Sequence, residues 1–504
     1  MKNIDLLLFG DGEGGKTTIN DSYIQDMGLE NLAGCLEADP EAYGVFMDTL
    51  KNPLTDAEKI EERQNILKDF QNHPGLAQRL KSICIEAQQN KCQTHYSEPD
   101  RVLAAYNEIL SCSMGVAGEL LSMLRHREFS SAALKELRAQ LDCQKKFDAV
   151  KARIDKMIGY IKNGEITLAL EYGSGFKFRG AEIYPYEPTP GETPENKTNN
   201  PILKLFQNRK AKESAEPDDG FCYGSHFIME NEIGAMQGGA FTYVSGIIRD
   251  INRHILSFCD LMAKQLSFYT VAMDLIKFME NGRLKTAFPE LCRGQAGIKA
   301  KGLCDFGLLL QNRPDFFVSP NDFDDCGGAY YLISGSNRGG KTTFMKSVGI
   351  AQLFAQAGLP VAAESYVCPV FGNLFSHFPK DEDEDLNFGK LAEELTRIKK
   401  SLPQIADNAL VLLNESFATT TETEGFDLAS DILRALSETK SKVLFVTHNY
   451  LLLKNRREVC GSFANGVKLM SLIVAEGESP SERTYRIVEG EPGETIHTVD
   501  FLDC

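Results

Sequence analysis

No apolar run in this 504-residue chain approaches the roughly 18 residues a membrane span requires. The opening IDLLLF is too short for a secretion-signal core and leads into acids and glycines instead of a small-residue cleavage site. The expected location is therefore cytoplasmic, with no membrane partner. Paired cysteines are missing as well: the thirteen are scattered singly from Cys35 to Cys504 with no C-x-x-C, which argues for reduced thiols filling cores over disulfides or zinc. Positive charge is scarce. With 54 Lys and Arg against 71 Asp and Glu, a net of -17, a generally basic surface is excluded and any nucleic-acid contact has to be local.

What is present is ordinary soluble material, 42% hydrophobic and 25% charged, in a chain long enough for roughly three or four units. From about Asp56 to Ile158 apolar residues recur at helical spacing, as in Ile60, Ile66, Leu67 and Phe70. Within that region a predicted helix from Arg125 to Lys162 carries ten Lys or Arg against five acids; it reads equally as a nucleic-acid face or a solvated face of mixed charge. Ile166 to Pro188 looks strand-like, and Thr189 to Asp219 reads as an exposed linker. Helix is predicted again from about Ala240, long enough for a lever. From Ala329 onward short apolar runs, AYYLI, ALVLL and VLFVT, alternate with helical stretches, the signature of an α/β sheet. The expected segments are 1–40 N-terminal, 41–165 helical core and first lever, 166–238 strand-containing insertion and linker, 239–300 second lever, and 301–504 α/β domain.

Two stretches satisfy G-x-x-x-x-G-K-[ST]: FGDGEGGKTT (Phe9 to Thr18) and SGSNRGGKTT (Ser334 to Thr343). The pattern has meaning only where a strand ends in a glycine turn whose amides wrap phosphates and a helix begins at the lysine. AYYLI precedes the second stretch, and TTFMKSVGIAQLFAQAG follows with Phe344, Met345, Val348, Leu353 and Phe354 on one helical stripe. After the first comes polar INDSYIQDMGLENLAG, so Gly10 to Thr17 is expected to be a surface turn that matches by coincidence. In the second loop Gly335, Ser336, Asn337, Arg338, Gly339, Gly340 and Thr343 are the expected nucleotide-binding frame. Lys341 is expected on the β and γ phosphates of ATP and Thr342 on Mg²⁺. About seventy residues on, ALVLL ends in Asn414-Glu415, where nucleotide hydrolases carry an acidic pair. Glu415 is the expected general base. Asn414 would reach the metal through water, and its amide brings no charge, which weakens magnesium binding or slows turnover. VLFVTHNY places His448 after a third strand, expected to sense or stabilise the γ-phosphate.

These blocks, in this order, resemble the ATPase domain of the MutS family of DNA mismatch-repair proteins, an ABC-type phosphate-loop fold. GSNRGGKTTFMK, LVLLNESFATTTETEG and VTHN are similar to its three motifs, with Ser336 where proline is usual. PDFFVSPND resembles the segment whose aromatic residue packs on adenine, which would be Phe317. NPLTDAEKIEERQNILKDFQ resembles the start of the helical core, with Arg63 on its helix. LNFGKLAEEL occupies the place of the signature helix that completes the partner's ATP site, with Gly389 where serine is usual. The resemblance implies an α/β ABC-type phosphate-loop ATPase domain preceded by an all-α core and lever domain, which dimerises around ATP and Mg²⁺ and acts on double-stranded DNA alongside other repair proteins. No match to the mismatch-reading domain is found; FME at Phe278 falls inside a predicted helix. The resemblance is therefore to short bacterial MutS-related proteins. A second reading stays open: a nucleotide-dependent scaffold that hydrolyses ATP poorly and gathers protein partners without DNA.

Overall fold

The computed structural model describes residues 5–8, 17–36, 39–89, 99–142, 149, 151–152, 155–156, 166–172, 178–185, 225–292, 297–311, 318–325, 329–379, 390–401, 405, 408–418, 420–477 and 483–492. In chain order the strands are β1 (Thr18–Ile19), β2 (Ile166–Tyr172), β3 (Phe178–Pro185), β4 (Glu290–Leu291), β5 (Lys299–Leu303), β6 (Asn321–Asp324), β7 (Ala329–Ser334), β8 (Ser365–Cys368), β9 (Asn373–His377), β10 (Ala409–Asn414), β11 (Lys442–Val446), β12 (Lys468–Glu476) and β13 (Arg483–Glu489). Contacts divide the chain into two compact units.

The smaller unit takes in 83–126 and 138–261. It holds most of helix Pro99–Leu124, the antiparallel hairpin β2–β3, and the first part of the long helix Ser225–Asn281. That helix begins well before the expected Ala240. Among the described residues no helix is long and apolar enough to cross a membrane.

The larger unit takes in 3–82, 127–137 and 262–504. Its helix Pro40–Lys51 starts where Asp39 accepts the Ala42 N–H and Pro40 supplies a preset φ; helix Ala57–Asn72 starts where Asp56 accepts from Glu58 and Lys59. Their apolar faces pack on the end of helix Ser225–Asn281, with Phe46 stacked on Phe268 at 5.6 Å and Phe70 against Tyr269 at 5.3 Å. Arg63 is fully buried there; its guanidinium donates to Ala357 O at 3.1 Å, tying this helix to the end of helix Lys341–Ala357. Arg63 is thus a joint between the first helices and the α/β body.

The predicted basic helix from Arg125 to Lys162 is not continuous. Helix ends at Leu124 and restarts as Ala132–Leu141. Between them Asp69 accepts from Ser130 N at 2.8 Å, Ser131 N at 2.9 Å and the Ser131 hydroxyl at 2.6 Å. A buried carboxylate that captures these amides caps a new helix instead of letting the old one run on. Part of the stretch, 143–148 and 157–162 among it, lies outside the described residues.

Seven strands form the main sheet, in the order β1-β9-β10-β11-β7-β12-β13. All neighbours are parallel except the β12–β13 pair. Both faces are covered, so β9, β10 and β11 are buried throughout, which is why they read as continuous apolar runs in the sequence. Tyr330, Leu332, Val411, Leu413, Val443 and Phe445 face helix Glu422–Ser437 and its neighbours. On the other side lies helix Lys341–Ala357, where Gly349 lets Leu412, Met27 and Tyr23 approach its backbone. Cross-strand register aligns Ile333, Val446 and Asn414 in one row. The carboxyl ends of β7, β11 and β10 therefore open on the same lip, the place where parallel sheets bind ligands.

The first pattern match has a different fate from the second. Residues 9–16 lie outside the described residues, but Thr17 is buried, and its hydroxyl donates to Leu54 O at 3.2 Å and Phe371 O at 3.1 Å. Thr18–Ile19 continues as β1, an edge strand paired with β9, where a phosphate loop needs the first turn of a helix.

Candidate nucleotide site

The loop after β7 turns with Gly335 at φ 130 and Gly340 at φ 94. A Cβ at Gly335 would lie 2.8 Å from Val474, so both the conformation and the space call for glycine. Helix Lys341–Ala357 begins at the lysine itself. Lys341 Nζ donates to Gly335 O at 2.9 Å and Ser336 O at 2.8 Å, which folds its charge over the loop. The Thr342 hydroxyl donates to Asn414 Oδ1 at 2.9 Å, so the two residues assigned to the metal from the sequence meet directly.

Glu415 follows Asn414 at φ 49, a left-handed conformation that costs on the order of 1 kcal/mol for a residue with a side chain. Its N–H is anchored on Val446 O at 2.8 Å. His448 Nε2 lies 3.5 Å from Glu415 Oε1, the outer limit of a hydrogen bond. The His448 ring holds the Glu415 carboxyl below the usual range, Lys341 adds to this, and partial burial opposes both. A half-buried carboxylate, aimed by a histidine and ionised at neutral pH, has the properties of a general base.

These groups share a cavity of about 560 Å³ with residues 337–343, Asp305, Asn321 and Tyr485, a volume within the range of small-molecule sites. Burial pushes Asp305 up to about 7, against the pull of the Gly307 N–H and the charge of Lys346. Phe317 and Gly389, expected on the adenine and in the partner's site, lie outside the described residues. Phe278 of FME packs edge-on against Phe306 at 6.2 Å, within the fold.

Oxygen donors from Thr342 and Asn414 suit Mg²⁺, which prefers a few protein oxygens completed by water and phosphate. Among the described residues no cluster of three or more His, Cys, Asp or Glu forms a separate metal cage. The fit is thus to a metal carried with a nucleotide. Asn414 supplies an oxygen but no charge.

Sequence reasoning missed two features. Tyr485, an exposed aromatic at φ 54 on β13, stands at the cavity's lip; nothing in TYRIVEG signals this, because the antiparallel pairing with β12 brings it there. The other is a buried joint at the end of β9. Arg397 donates to His377 Nε2 at 3.2 Å, so Nδ1 carries the ring proton and donates to the Ser416 hydroxyl at 2.9 Å; Glu394 accepts the Phe417 N–H at 3.0 Å. Helix Lys390–Ser401 is thereby clamped to the loop that carries Glu415.

Burial, helped by Arg397, pushes His377 down to about 4. Between about pH 4 and 6.5 the unfolded chain binds a proton there that the folded chain refuses, so this residue withdraws stability as pH falls through that window. Asp305, protonated up to about 7 when folded, acts with the opposite sign, and a difference between variants isolates the histidine. In urea unfolding at pH 6.5 and 4.5, the native chain is expected to lose about 2–3 kcal/mol more than H377Q. Equal losses would show that His377 is not held neutral.

Two family models match the chain: MutS domain V over 331–494 and the MutS2 N-terminal domain over 55–281. The chain belongs to the MutS family. Domain V is the family's phosphate-loop ATPase domain, and its span includes the phosphate loop, Asn414, Glu415 and His448 of this MutS chain. The endonuclease MutS2 of Streptococcus agalactiae is 36% identical over 164 residues, 32% of this chain and 20% of that protein. A Streptococcus pyogenes endonuclease MutS2 matches to the same extent. That of Bacillus velezensis is 32% identical over 186 residues, 36% of this chain and 22% of that protein. The matched part of this MutS chain thus spans about a fifth of those relatives.

Proposed function

We propose that this chain is an ATP-dependent DNA-binding protein whose motor domain hydrolyses ATP with Mg²⁺. The reading rests on one observation: Lys341, Thr342, Asn414, Glu415 and His448, drawn from three strand ends, converge on a single lip. Lys341 turns from the loop carbonyls to the β and γ phosphates, and the loop amides with the helix N-terminus hold the rest of the triphosphate. Thr342 and, through water, Asn414 hold the magnesium, which when bound neutralises and orients the phosphates. Glu415 takes the proton of the attacking water, and His448 aims Glu415 and senses the γ-phosphate. Phe317 stacks on the adenine. Two copies dimerise around ATP, with Gly389 at the head of each signature helix offering backbone groups to the partner's phosphate. The segments 41–165 and 239–300 act as levers, which convert closing and release of the motors into movement on duplex DNA in mismatch repair or related DNA metabolism.

Asn414 and the acidic balance favour a second reading, an ATP-binding scaffold with weak hydrolysis that assembles proteins. Turnover measured with and without duplex DNA separates the two. Stimulation by duplex that fades between about 50 and 200 mM salt is expected for phosphate-backbone contacts. Turnover indifferent to DNA at every salt concentration would favour the scaffold.

A further inference from the structure

The phosphate loop carries a charge that its motif does not require. Arg338 is the third variable residue of GSNRGGKT. It is exposed, lines the same cavity as Lys341, Thr342 and Glu415, and sits at φ 58. A left-handed conformation at a residue with a Cβ is disfavoured, and strain of this kind concentrates at functional sites. Among the described residues no carboxylate pairs with Arg338, whereas Lys341 Nζ is taken up by two loop carbonyls. A guanidinium with its donor fork open, on a loop built to surround phosphates, is placed for bidentate contact with a phosphate oxygen pair.

The opposite wall explains the need. Asn414 stands where an acid would strengthen the hold on the metal, so magnesium is held more weakly and leaves more of the triphosphate's negative charge to other groups. Lys341 is one cation; Arg338 is a second in the same loop.

We propose that Arg338 is a catalytic residue, an arginine finger supplied in cis, that binds the γ-phosphate and stabilises its charge during hydrolysis, offsetting the charge that Asn414 fails to provide. This deepens the ATPase reading above and rests on it. In the step it serves, the water oxygen bonds to the γ-phosphorus and the bond from that phosphorus to the β–γ bridging oxygen breaks. The bond's electron pair leaves with ADP, and the water proton passes to Glu415. Arg338 donates hydrogen bonds to the equatorial oxygens and exchanges no proton.

The test uses the full chain, with R338M as a neutral replacement of similar length and R338K to keep charge without the fork. Binding of the fluorescent nucleotides mant-ADP and mant-AMP-PNP is titrated with magnesium and with EDTA, and ATP turnover is measured separately. R338M is expected to bind mant-ADP within about threefold of the native chain, to bind mant-AMP-PNP about tenfold more weakly in EDTA, and to lose about 100-fold or more in kcat. R338K is expected to regain the EDTA binding but little of the turnover. Turnover of R338M within about threefold of native would overturn the proposal. So would equal losses for the two nucleotides, which would mark a merely structural role in the loop. If the native chain binds neither nucleotide, the ATPase reading fails and this one with it; if the native chain turns over and only the R338M result is flat, the ATPase reading stands.

Discussion

Lys341→Ala is expected to abolish nucleotide binding while leaving the protein folded. The side chain is nearly buried, and its ammonium donates to Gly335 O and Ser336 O. Alanine removes the loop's central cation. The two carbonyls it leaves are close enough to the exposed loop residues Ser336 to Arg338 to find water, so little of the fold depends on them. Losing charge-assisted contacts to two phosphates weakens ATP by about 3 kcal/mol, or about 100-fold in Kd. Titration with mant-ATP reads this directly, and an unchanged melting temperature shows that the fold survives. Lys16→Ala, in the first GDGEGGKT, is the matched control and is expected to leave affinity untouched. Loss of binding there, or its survival in Lys341→Ala, would move the site to the other loop.

The second large effect is expected from Glu415→Gln. Glutamine keeps the shape and still reaches His448 but cannot take a proton, so turnover is expected to fall by about 10³-fold with ATP affinity unchanged. Single-turnover assays should then find ATP retained on the protein. Because the His448 ring holds the Glu415 carboxyl below the ordinary glutamate range, the acid limb of native kcat is expected below that range, and neutral pH should lie on the plateau. Turnover that survives in Glu415→Gln would place the base elsewhere.

Much of the site was legible because its chemistry is local. The phosphate loop packs its glycines, its lysine and its hydroxyl into ten residues, and Glu415 sits one step past an apolar run. The row formed by Ile333, Val446 and Asn414 follows from strands that all end at their polar residues. The helical texture of 57–72 was equally clear, since its period buries Ile60, Ile66, Leu67 and Phe70 together. The break at Arg125 to Ser131 was not, because a carboxylate sixty residues away, Asp69, makes it.

Taken alone, the sequence determined the phosphate loop with its lysine, the carboxylate after β10, and the succession of strand and helix, because each depends on neighbours along the chain. Tertiary structure alone decided the fate of the two identical patterns. Thr17 is sealed against Leu54 and Phe371 and runs into an edge strand, while Lys341 opens a helix beneath the sheet's carboxyl ends. It also brought Tyr485 to the lip and His377 to Ser416. The physical reason is the strand order β1-β9-β10-β11-β7-β12-β13: neighbours in that sheet are far apart in sequence, and only the packing of its two faces selects them.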